Sequence, residues 1–448
     1  MTVDLQKINK KAAEIVLSTP ASTRIRVISH YDADGITAAA IISKALYRAG
    51  YDFHVTLMRN PFDKGLERVS KEENELIFFT DMGSGQLDQI EKMNSKIVII
   101  DHHQVVKEET SKNVIQINAN LCGINGNYEA CGATLAYAFA KALDPVNIDL
   151  APLAIVGLTG DKQYIGGIRG YNKNVVEEAV KNKLVNEKTE IKLYGDSLYD
   201  SLYYFTDPYY TGISGDKNGI SNLFKKFSLE KNVKLDDIDD KTKKQLRSYL
   251  MMKLFKQGCE QNILDTVIRP RYWAESLFNS EMERFADLLD ACGKGGNRGL
   301  GLQICLGDIK AFEEAKLVEK EYKQRILDEL IRLEKDGFND KKSYRYFHSK
   351  DSSLGGVIGG IATNFMLDKE KPLISVVRKD DEIHISCRGN QYLVSKGLDL
   401  GKAMKQASQK IGGHGGGHAI ASGATIDSSK EDEFLEIVDD IISKQMKE

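Results

Sequence analysis

Short runs of apolar residues recur in the first part of the chain, and three of them end at polar motifs. These runs cover residues 25–29, 76–80 and 96–100. Runs of this length are typical of strands that are buried on both faces of a parallel sheet. Amphipathic or apolar stretches predict helices at residues 36–49, 86–93, 131–143 and 150–158. Because predicted strands alternate with predicted helices, we expect an α/β domain with a parallel sheet.

The pattern changes after residue 182. Clustered tyrosines at 199–210 and charged stretches at 224–256 predict an inserted, mostly helical subdomain. The spacing of Ser280 and Glu283 predicts a capping box for a helix over 280–291, and a glycine-rich turn follows at 292–298. Further elements are predicted as a long helix at 308–335, strands at 373–377 and 382–387, a helix at 401–410 and a glycine-rich loop at 412–418. The predicted segments are therefore 1–182, 183–270, 271–341 and 342–448, the last a smaller α/β domain.

Acidic and histidine side chains come at the ends of the three apolar runs. They are His30, Asp32 and Asp34, then Asp81, then Asp101, His102 and His103. Ligands of open α/β sheets bind outside the carboxyl ends of the strands, so we expect these groups to meet at one edge. Crowded carboxylates repel one another unless protons or cations separate them. The sequence therefore predicts a site for two divalent cations, with Asp161 as a further acid.

The spacing within the motifs indicates how two cations would share them. Asp32 and Asp34 are two residues apart, so on an extended segment both would point to the same side and serve adjacent metals. Asp81 arrives from a second strand, where one carboxylate can bridge both ions. Paired metals activate water and hold both oxygens of a phosphoryl displacement. The alternative for a single motif is a solvated loop or a helix cap, but three motifs on successive strands favour the metal site.

These motifs resemble those of the DHH phosphoesterase superfamily. The resemblance implies that one metal takes His30, Asp32 and Asp81, and that the other takes Asp34, Asp81, His102 and Asp161. It places His103 beside the scissile phosphate and gives Asp101 a supporting role. Carboxylate and imidazole ligands suit Mn²⁺, with Mg²⁺ or Co²⁺ as alternatives. In its length and its insert the chain resembles archaeal RecJ-like nucleases, a group that includes the GINS-associated nuclease.

The last segment resembles the DHH-associated C-terminal domain. Its matching residues are Ser386 and Arg388, and Gly413, His414, Gly415, Gly416, Gly417 and His418. Successive glycines let backbone N–H groups approach an anion, and an arginine can hold a phosphate through two hydrogen bonds. Residues 345–410 hold eleven Lys and Arg against seven Asp and Glu. A flexible surface turn is the alternative, but beside a phosphoesterase motif set we expect phosphate binding, in a cleft between the two domains.

Composition narrows the function further. The 448 residues carry a formal net charge of −3, so any nucleic-acid contact must come from a local patch. No apolar run is long enough to span a membrane, and the six scattered cysteines lack a Cys-x-x-Cys pair, which favours a reducing cytoplasm. The resemblance to RecJ-like nucleases implies a single-strand exonuclease that degrades DNA 5′-to-3′ in repair or replication. The alternatives are a 3′-to-5′ or short-RNA exonuclease and a GINS-binding replisome scaffold with little activity.

Overall fold

The computed structural model describes residues 3–59, 64–193, 197–351 and 353–446. The strands are β1 (Ile25–His30), β2 (Phe53–Met58), β3 (Leu76–Thr80), β4 (Lys96–Asp101), β5 (Val114–Asn118), β6 (Asn186–Ile191), β7 (Ile268–Ala274), β8 (Ser280–Glu281), β9 (Asn339–Asp340), β10 (Arg345–His348), β11 (Leu373–Lys379), β12 (Glu382–Arg388), β13 (His414–Gly417) and β14 (Ala421–Asp427). The helices up to residue 260 are α1 (Leu5–Leu17), α2 (Ala33–Arg48), α3 (Lys64–Ser70), α4 (Leu87–Ile90), α5 (Gly132–Leu143), α6 (Ala151–Gly160), α7 (Gly170–Lys181), α8 (Leu198–Tyr203), α9 (Lys217–Phe227) and α10 (Asp240–Lys256). The later ones are α11 (Gln261–Leu264), α12 (Met282–Lys294), α13 (Arg298–Leu306), α14 (Ile309–Asp336), α15 (Gly355–Phe365), α16 (Gln391–Ser395), α17 (Leu400–Lys410) and α18 (Glu431–Gln445).

The chain forms two compact units. The first contains residues 1–190 and 268–319, and the second contains 191–267 and 320–448. The boundary at residue 319 lies inside α14. Most of the predicted insert therefore shares a unit with the C-terminal residues, while the three boundaries between the predicted segments stay predictions.

The first unit is built on a five-stranded parallel sheet in the order β2–β1–β3–β4–β5. Alternate residues face opposite sides, so Val27 joins the core that α2, α5, α6 and α12 cover, while Ile28 joins a core with residues of α3 and α4. Burial on both faces explains why β3 is apolar at nearly every position. The predicted α/β fold with a parallel sheet is confirmed.

The second unit is built on a six-stranded sheet in the order β13–β14–β12–β11–β10–β9. Only β10 and β11 pair in parallel within it, and the other pairs are antiparallel. Residues of α17 and α18 complete the core of this sheet. The insert packs into the same unit: Tyr209 donates a hydrogen bond to Glu334 (2.7 Å), and Gln257 donates to the Phe365 carbonyl (2.9 Å).

Two local predictions are wrong. Ser280 belongs to the short strand β8, and α12 is capped instead by Glu281, whose carboxylate accepts the Arg284 N–H. The glycine-rich segment after residue 412 is not a free loop, because residues 414–417 form β13 and pair with β14. Among the described helices, none has the length and apolar character needed to cross a bilayer.

Candidate metal centre

The parallel order β1–β3–β4 brings three motifs to one edge of the first sheet. His30 is the last residue of β1, Asp81 follows β3, and Asp101 is the last residue of β4. Asp161 joins them as the C-cap residue directly after α6. Because parallel strands share the direction of their carboxyl ends, this edge gathers the acids, as the sequence predicts.

Asp32 and Asp34 reach the edge by a different route from the predicted one. The prediction of an extended segment is wrong, because α2 begins at Ala33 and places Asp34 in its first turn. Asp32 caps this helix by accepting the Gly35 N–H (3.0 Å). The Asp34 carboxylate accepts the N–H groups of Gly132 (2.7 Å) and Ala133 (2.8 Å) at the start of α5. A helix N-terminus thus stabilises the buried Asp34 charge.

The first candidate ligand group consists of His30, Asp32 and Asp81. The Nδ1 atom of His30 lies 2.9 Å from an Asp32 oxygen and 3.4 Å from an Asp81 oxygen. The other ring nitrogen, Nε2, lies 3.1 Å from the carbonyl oxygen of Arg59. A carbonyl only accepts, so Nε2 carries a proton that fixes the ring. Burial tends to lower the pKa of His30, but the Asp32 and Asp81 carboxylates raise it well above its ordinary value, so without a cation Nδ1 is also protonated and donates to Asp32. A bound cation would take the place of the Nδ1 proton.

The second candidate group consists of Asp34, His102 and Asp161. The Nε2 atom of His102 lies 3.7 Å from Asp34, 3.3 Å from Asp161 and 3.2 Å from Oδ1 of Asp81. Nδ1 of the same ring lies 2.6 Å from the Gly126 carbonyl oxygen and therefore carries the proton of the neutral ring. Asp81 is close to both groups, as expected for a bridging carboxylate.

His103 and Asp101 form a hydrogen-bonded pair beside these groups. Nδ1 of His103 lies 2.7 Å from Oδ1 of Asp101, and the Asp101 carboxylate also accepts the N–H groups of His102 (2.8 Å), His103 (3.2 Å) and Ser84 (3.0 Å). The His103 side chain is 45% exposed, whereas that of His102 is 9% exposed. This difference suits a substrate-facing His103, although His103 also lies near enough to Asp81 and His102 to form a third candidate ligand group.

Burial and mutual repulsion change the protonation of the cluster. Burial raises the pKa of Asp34 well above its ordinary value, and the Asp81 and Asp161 charges add to this. Burial likewise raises the pKa of Asp161 to about 7. Burial alone would lower the pKa of His102, but the neighbouring carboxylates raise it well above its ordinary value. Without a cation the cluster therefore holds protons, which bound metal would displace.

Asp81 provides the clearest test of whether this site fits metal. Its Oδ1 atom is buried, and among the described residues no donor forms a hydrogen bond to it. His102 Nε2 lies 3.2 Å from this oxygen, so a proton on Nε2 or a metal cation between the two atoms would satisfy both. Mixed carboxylate and imidazole donors are those that Mn²⁺ and related ions accept. The residues present fit divalent cations.

Comparisons with known proteins agree with this architecture. The profile described as "DHH family, N-terminal domain" matches residues 24–158, and the profile of the DHHA1 domain matches residues 343–444. An uncharacterised protein of Methanocaldococcus jannaschii is 33% identical over 452 residues, which cover 99% of this chain and 98% of that protein. The chain is a RecJ-like member of the DHH family. The single-stranded-DNA-specific exonuclease RecJ of Thermus thermophilus is 26% identical over 191 residues, which cover 39% of this chain and 28% of RecJ.

Solved structures share the fold of this DHH-family chain at low sequence identity. RecJ from Thermus thermophilus in complex with Mn²⁺ aligns with a TM-score of 0.63 and 16% identity over 98% of this chain and 55% of that one. CDC45 from Entamoeba histolytica aligns with a TM-score of 0.70 and 13% identity over 99% and 100% of the two chains. The chain thus spans about half the length of that RecJ, and these likenesses establish the fold alone.

The DHHA1 domain contains the predicted phosphate-binding residues Ser386 and Arg388 on β12. The Arg388 guanidinium lies against the first turn of α15, where a Cβ added to Gly356 would come within 2.8 Å of Nη2. Among the described residues no carboxylate forms an ion pair with Arg388, and burial lowers its pKa. A partly buried arginine beside a glycine-rich helix start suits an anionic ligand.

The glycine-rich segment of the DHHA1 domain forms an edge strand with exposed histidines. His414 pairs with Thr425, and Gly417 pairs with Ser422, while the His418 N–H donates to the Ala421 carbonyl (2.9 Å). A Cβ at Gly415 would lie 2.7 Å from the Met404 carbonyl of α17, so glycine permits this close packing. Gly413, Gly416 and the residues above stay candidates for contacting substrate.

Several residues that support the DHH motifs were not predicted from the sequence. Asp290 on α12 accepts the Ala33 N–H (2.8 Å) at the start of α2, and Lys294 pairs with it. Gln163 donates to the Gly126 carbonyl (3.0 Å), the same group that orients His102. Gly157 packs so closely that a Cβ there would lie 2.5 Å from Oδ1 of Asp34. These residues are distant in sequence from the motifs they support, so spacing carries no signal for them.

Proposed function

We propose that the chain is a metal-dependent exonuclease that hydrolyses phosphodiester bonds of single-stranded nucleic acid, specifically DNA from the 5′ end, in repair or replication. The observation that supports this most is the buried Asp81 carboxylate, which lies within reach of two separate groups of ligands. Two bound divalent cations, with Mn²⁺ the favoured metal, would supply an activated water and neutralise charge on the phosphoryl oxygens. The RecJ relative is named for single-stranded DNA, which supports the substrate class.

The proposed ligand sets follow the two groups of side chains. His30, Asp32 and Asp81 would hold one cation, and Asp34, Asp81, His102 and Asp161 the other. Glycines let the start of α5 and the end of α6 approach these acids, while Gly126 and Arg59 carbonyls orient the two imidazoles. Oriented ligands of this kind reduce the cost of binding metal.

His103 has the proposed role of contacting the phosphate. Asp101 holds the Nδ1 side of its ring, so Nε2 is the nitrogen available to a phosphate oxygen or leaving group. Burial tends to lower the pKa of His103, but the Asp101 carboxylate raises it above the ordinary value. His103 thereby keeps a proton that it can donate to developing charge, and Asp101 acts as a positioning residue.

On the substrate side, Ser386 and Arg388 would hold a phosphate of the strand, with the segment Gly413–His418 adding backbone and imidazole donors. The absence of a carboxylate partner for Arg388 among the described residues supports this role. A charged donor without an anion in a partly buried position is costly, and a bound phosphate removes that cost.

Two alternatives concern substrate and role. The same site could serve a 3′-to-5′ or short-RNA exonuclease, since nothing in the cation groups distinguishes strand polarity. A GINS-binding replisome scaffold with little activity is the other alternative, and CDC45 shares the fold. A scaffold does not need acids and imidazoles oriented as ligands, so the geometry favours an enzyme, while GINS binding in addition is compatible with it.

End-labelled strands test the proposal directly. Single-stranded DNA and RNA, labelled at either end, are incubated with the protein and Mn²⁺, with Asp81→Asn as the inactive control. We expect 5′-labelled DNA to release labelled mononucleotide from the start, while 3′-labelled DNA gives a ladder. The reverse pattern, or faster cleavage of short RNA, would support the first alternative. A folded, Mn²⁺-bound protein that cuts none of these strands would overturn the proposal.

A further inference from the structure

The helices α9 and α10 of the insert concentrate positive charge. The sequence of α9 contains three lysines and no acid, and that of α10 contains six Lys and Arg with one Asp. The chain as a whole carries a formal net charge of −3. Charge of one sign gathered on two neighbouring helices of a near-neutral protein indicates a surface for an anionic partner.

A groove lies between the end of α9 and the middle of α10. Its volume is about 720 Å³, and it is lined by Lys226, Phe227, Ser228, Lys244, Gln245, Ser248 and Tyr249. The lysines, serines and glutamine are exposed, while the two aromatic residues are half-buried. Binding sites for small organic groups typically measure roughly 300–1,000 Å³, so the groove can receive a nucleotide.

Amines and aromatic rings are interleaved in this groove. The Lys226 Nζ lies 4.4 Å from the centre of the Tyr249 ring, and the Phe227 and Tyr249 rings meet edge to face at 5.8 Å. Among the described residues no acid forms an ion pair with Lys226 or Lys244. Unpaired amines suit phosphates, and neighbouring rings suit bases or sugars, as in surfaces that bind single strands.

We infer that this groove binds a segment of single-stranded nucleic acid, with Lys226 and Lys244 on phosphates and Tyr249 on a base. The inference rests on the proposed single-strand substrate and assigns part of its recognition to the insert. An acidic protein segment is the competing ligand. The apolar side chains that would favour a protein, Met252 and Phe255, are exposed on α10 but do not line the groove.

A charge-matched pair of variants tests the inference. Lys226→Gln/Lys244→Gln removes two amines from the groove, and Lys10→Gln/Lys11→Gln removes two exposed amines from α1. Binding of a long fluorescent single strand is measured by anisotropy as a function of salt, in an Asp81→Asn background that prevents cleavage. A second pair, Tyr249→Leu and Tyr249→Phe, removes or keeps the ring. Dinucleotide cleavage is measured in the same variants with Asp81 restored.

We expect the groove double variant to weaken long-strand binding roughly tenfold, since an exposed ion pair changes an equilibrium by up to about fivefold. The salt slope should fall by about 1.4, because each lost phosphate contact removes about 0.7 for single strands. The α1 control and Tyr249→Phe should bind normally, Tyr249→Leu should bind weakly, and every variant should cleave the dinucleotide at the parental rate.

Three results would overturn the inference. Equal losses in the groove and α1 variants would reduce the effect to net charge. If the parent cuts normally but the groove variant binds strands as well as the parent does, the groove is not a strand-binding site and the proposed function still stands. This holds even if the variant has lost affinity for an acidic protein segment. A parent protein that neither binds nor cuts single strands would reject the proposed function, and the groove with it.

Discussion

Replacing His103 with alanine separates a role in chemistry from a role in metal binding. Its Nδ1 atom is engaged by Asp101 at 2.7 Å and lies 3.9 Å from Oδ1 of Asp81, and almost half of its side chain is exposed. His102 differs on each point, because it is nearly buried and its Nε2 lies within 3.7 Å of three carboxylates. We therefore expect His103→Ala to slow hydrolysis and His102→Ala to impair metal binding.

The expected magnitudes follow from these contacts. A hydrogen bond that strengthens as charge develops contributes about 10²–10³ in rate, and His103→Ala should lose that much kcat. Its Mn²⁺ affinity should change by less than about threefold, since no ligand is lost. In His102→Ala the affinity should fall by more than about tenfold, because even groups that only support ligands typically contribute that much.

Calorimetric Mn²⁺ titration and single-turnover cleavage of a labelled strand measure the two effects separately. Asp101→Asn provides a further check through pH. The Asp101 carboxylate raises the pKa of His103, so the protonated donor is present at low pH and is lost as pH rises through that pKa. The alkaline fall in rate should therefore move to lower pH in Asp101→Asn. A large loss of Mn²⁺ affinity in His103→Ala would refute this reasoning and make His103 a ligand.

Three further predictions concern the remaining groups. Arg388→Ala and His418→Ala should slow cleavage of long strands by the equivalent of about 1.5–3 kcal/mol while sparing a small chromogenic phosphodiester, and equal losses on both substrates would contradict the assignment. Mn²⁺ affinity should rise with pH through about 7, because Asp161 loses its proton there. The rise should be up to roughly tenfold per pH unit for each proton released, and an affinity that stays constant from pH 6 to 8 would count against Asp161 as a ligand. Arg271→Ala should lower the free energy of unfolding by about 3–5 kcal/mol in denaturant titrations, because Arg271 is 1% exposed and its loss removes an ion-pair partner from the buried Glu283 carboxylate. A change under about 1 kcal/mol would contradict this prediction.

The sheet and the gathering of acids could be predicted because both follow from local patterns. Strands buried on two faces must be apolar along their length, as β3 and β4 are, and parallel strands bring their carboxyl ends to the same edge. The His30 and Asp101 motifs therefore met as expected. The family resemblance added the ligand sets, which stay proposals.

The errors have different origins. Asp34 lies in the first turn of α2 because Asp32 caps that helix through the Gly35 N–H, which is the local alternative of a helix cap. The start of α5, almost a hundred residues later, adds two N–H groups that hold the Asp34 carboxylate. The segment after Gly412 is a strand that pairs with β14, and Gly415 and Gly417 pack so closely against α17 and β14 that a Cβ at either would clash. The support that Asp290 and Gln163 give to the motifs likewise depends on contacts that sequence spacing does not encode.

The most direct test of the central claim is the number of Mn²⁺ ions bound per chain in the parent protein and in Asp81→Asn, measured together with strand cleavage. The account predicts two ions and metal-dependent cleavage in the parent. It predicts loss of the two-ion site and of cleavage in an Asp81→Asn protein that remains folded. A folded Asp81→Asn protein that binds two ions and cuts at the parental rate would contradict the shared metal centre.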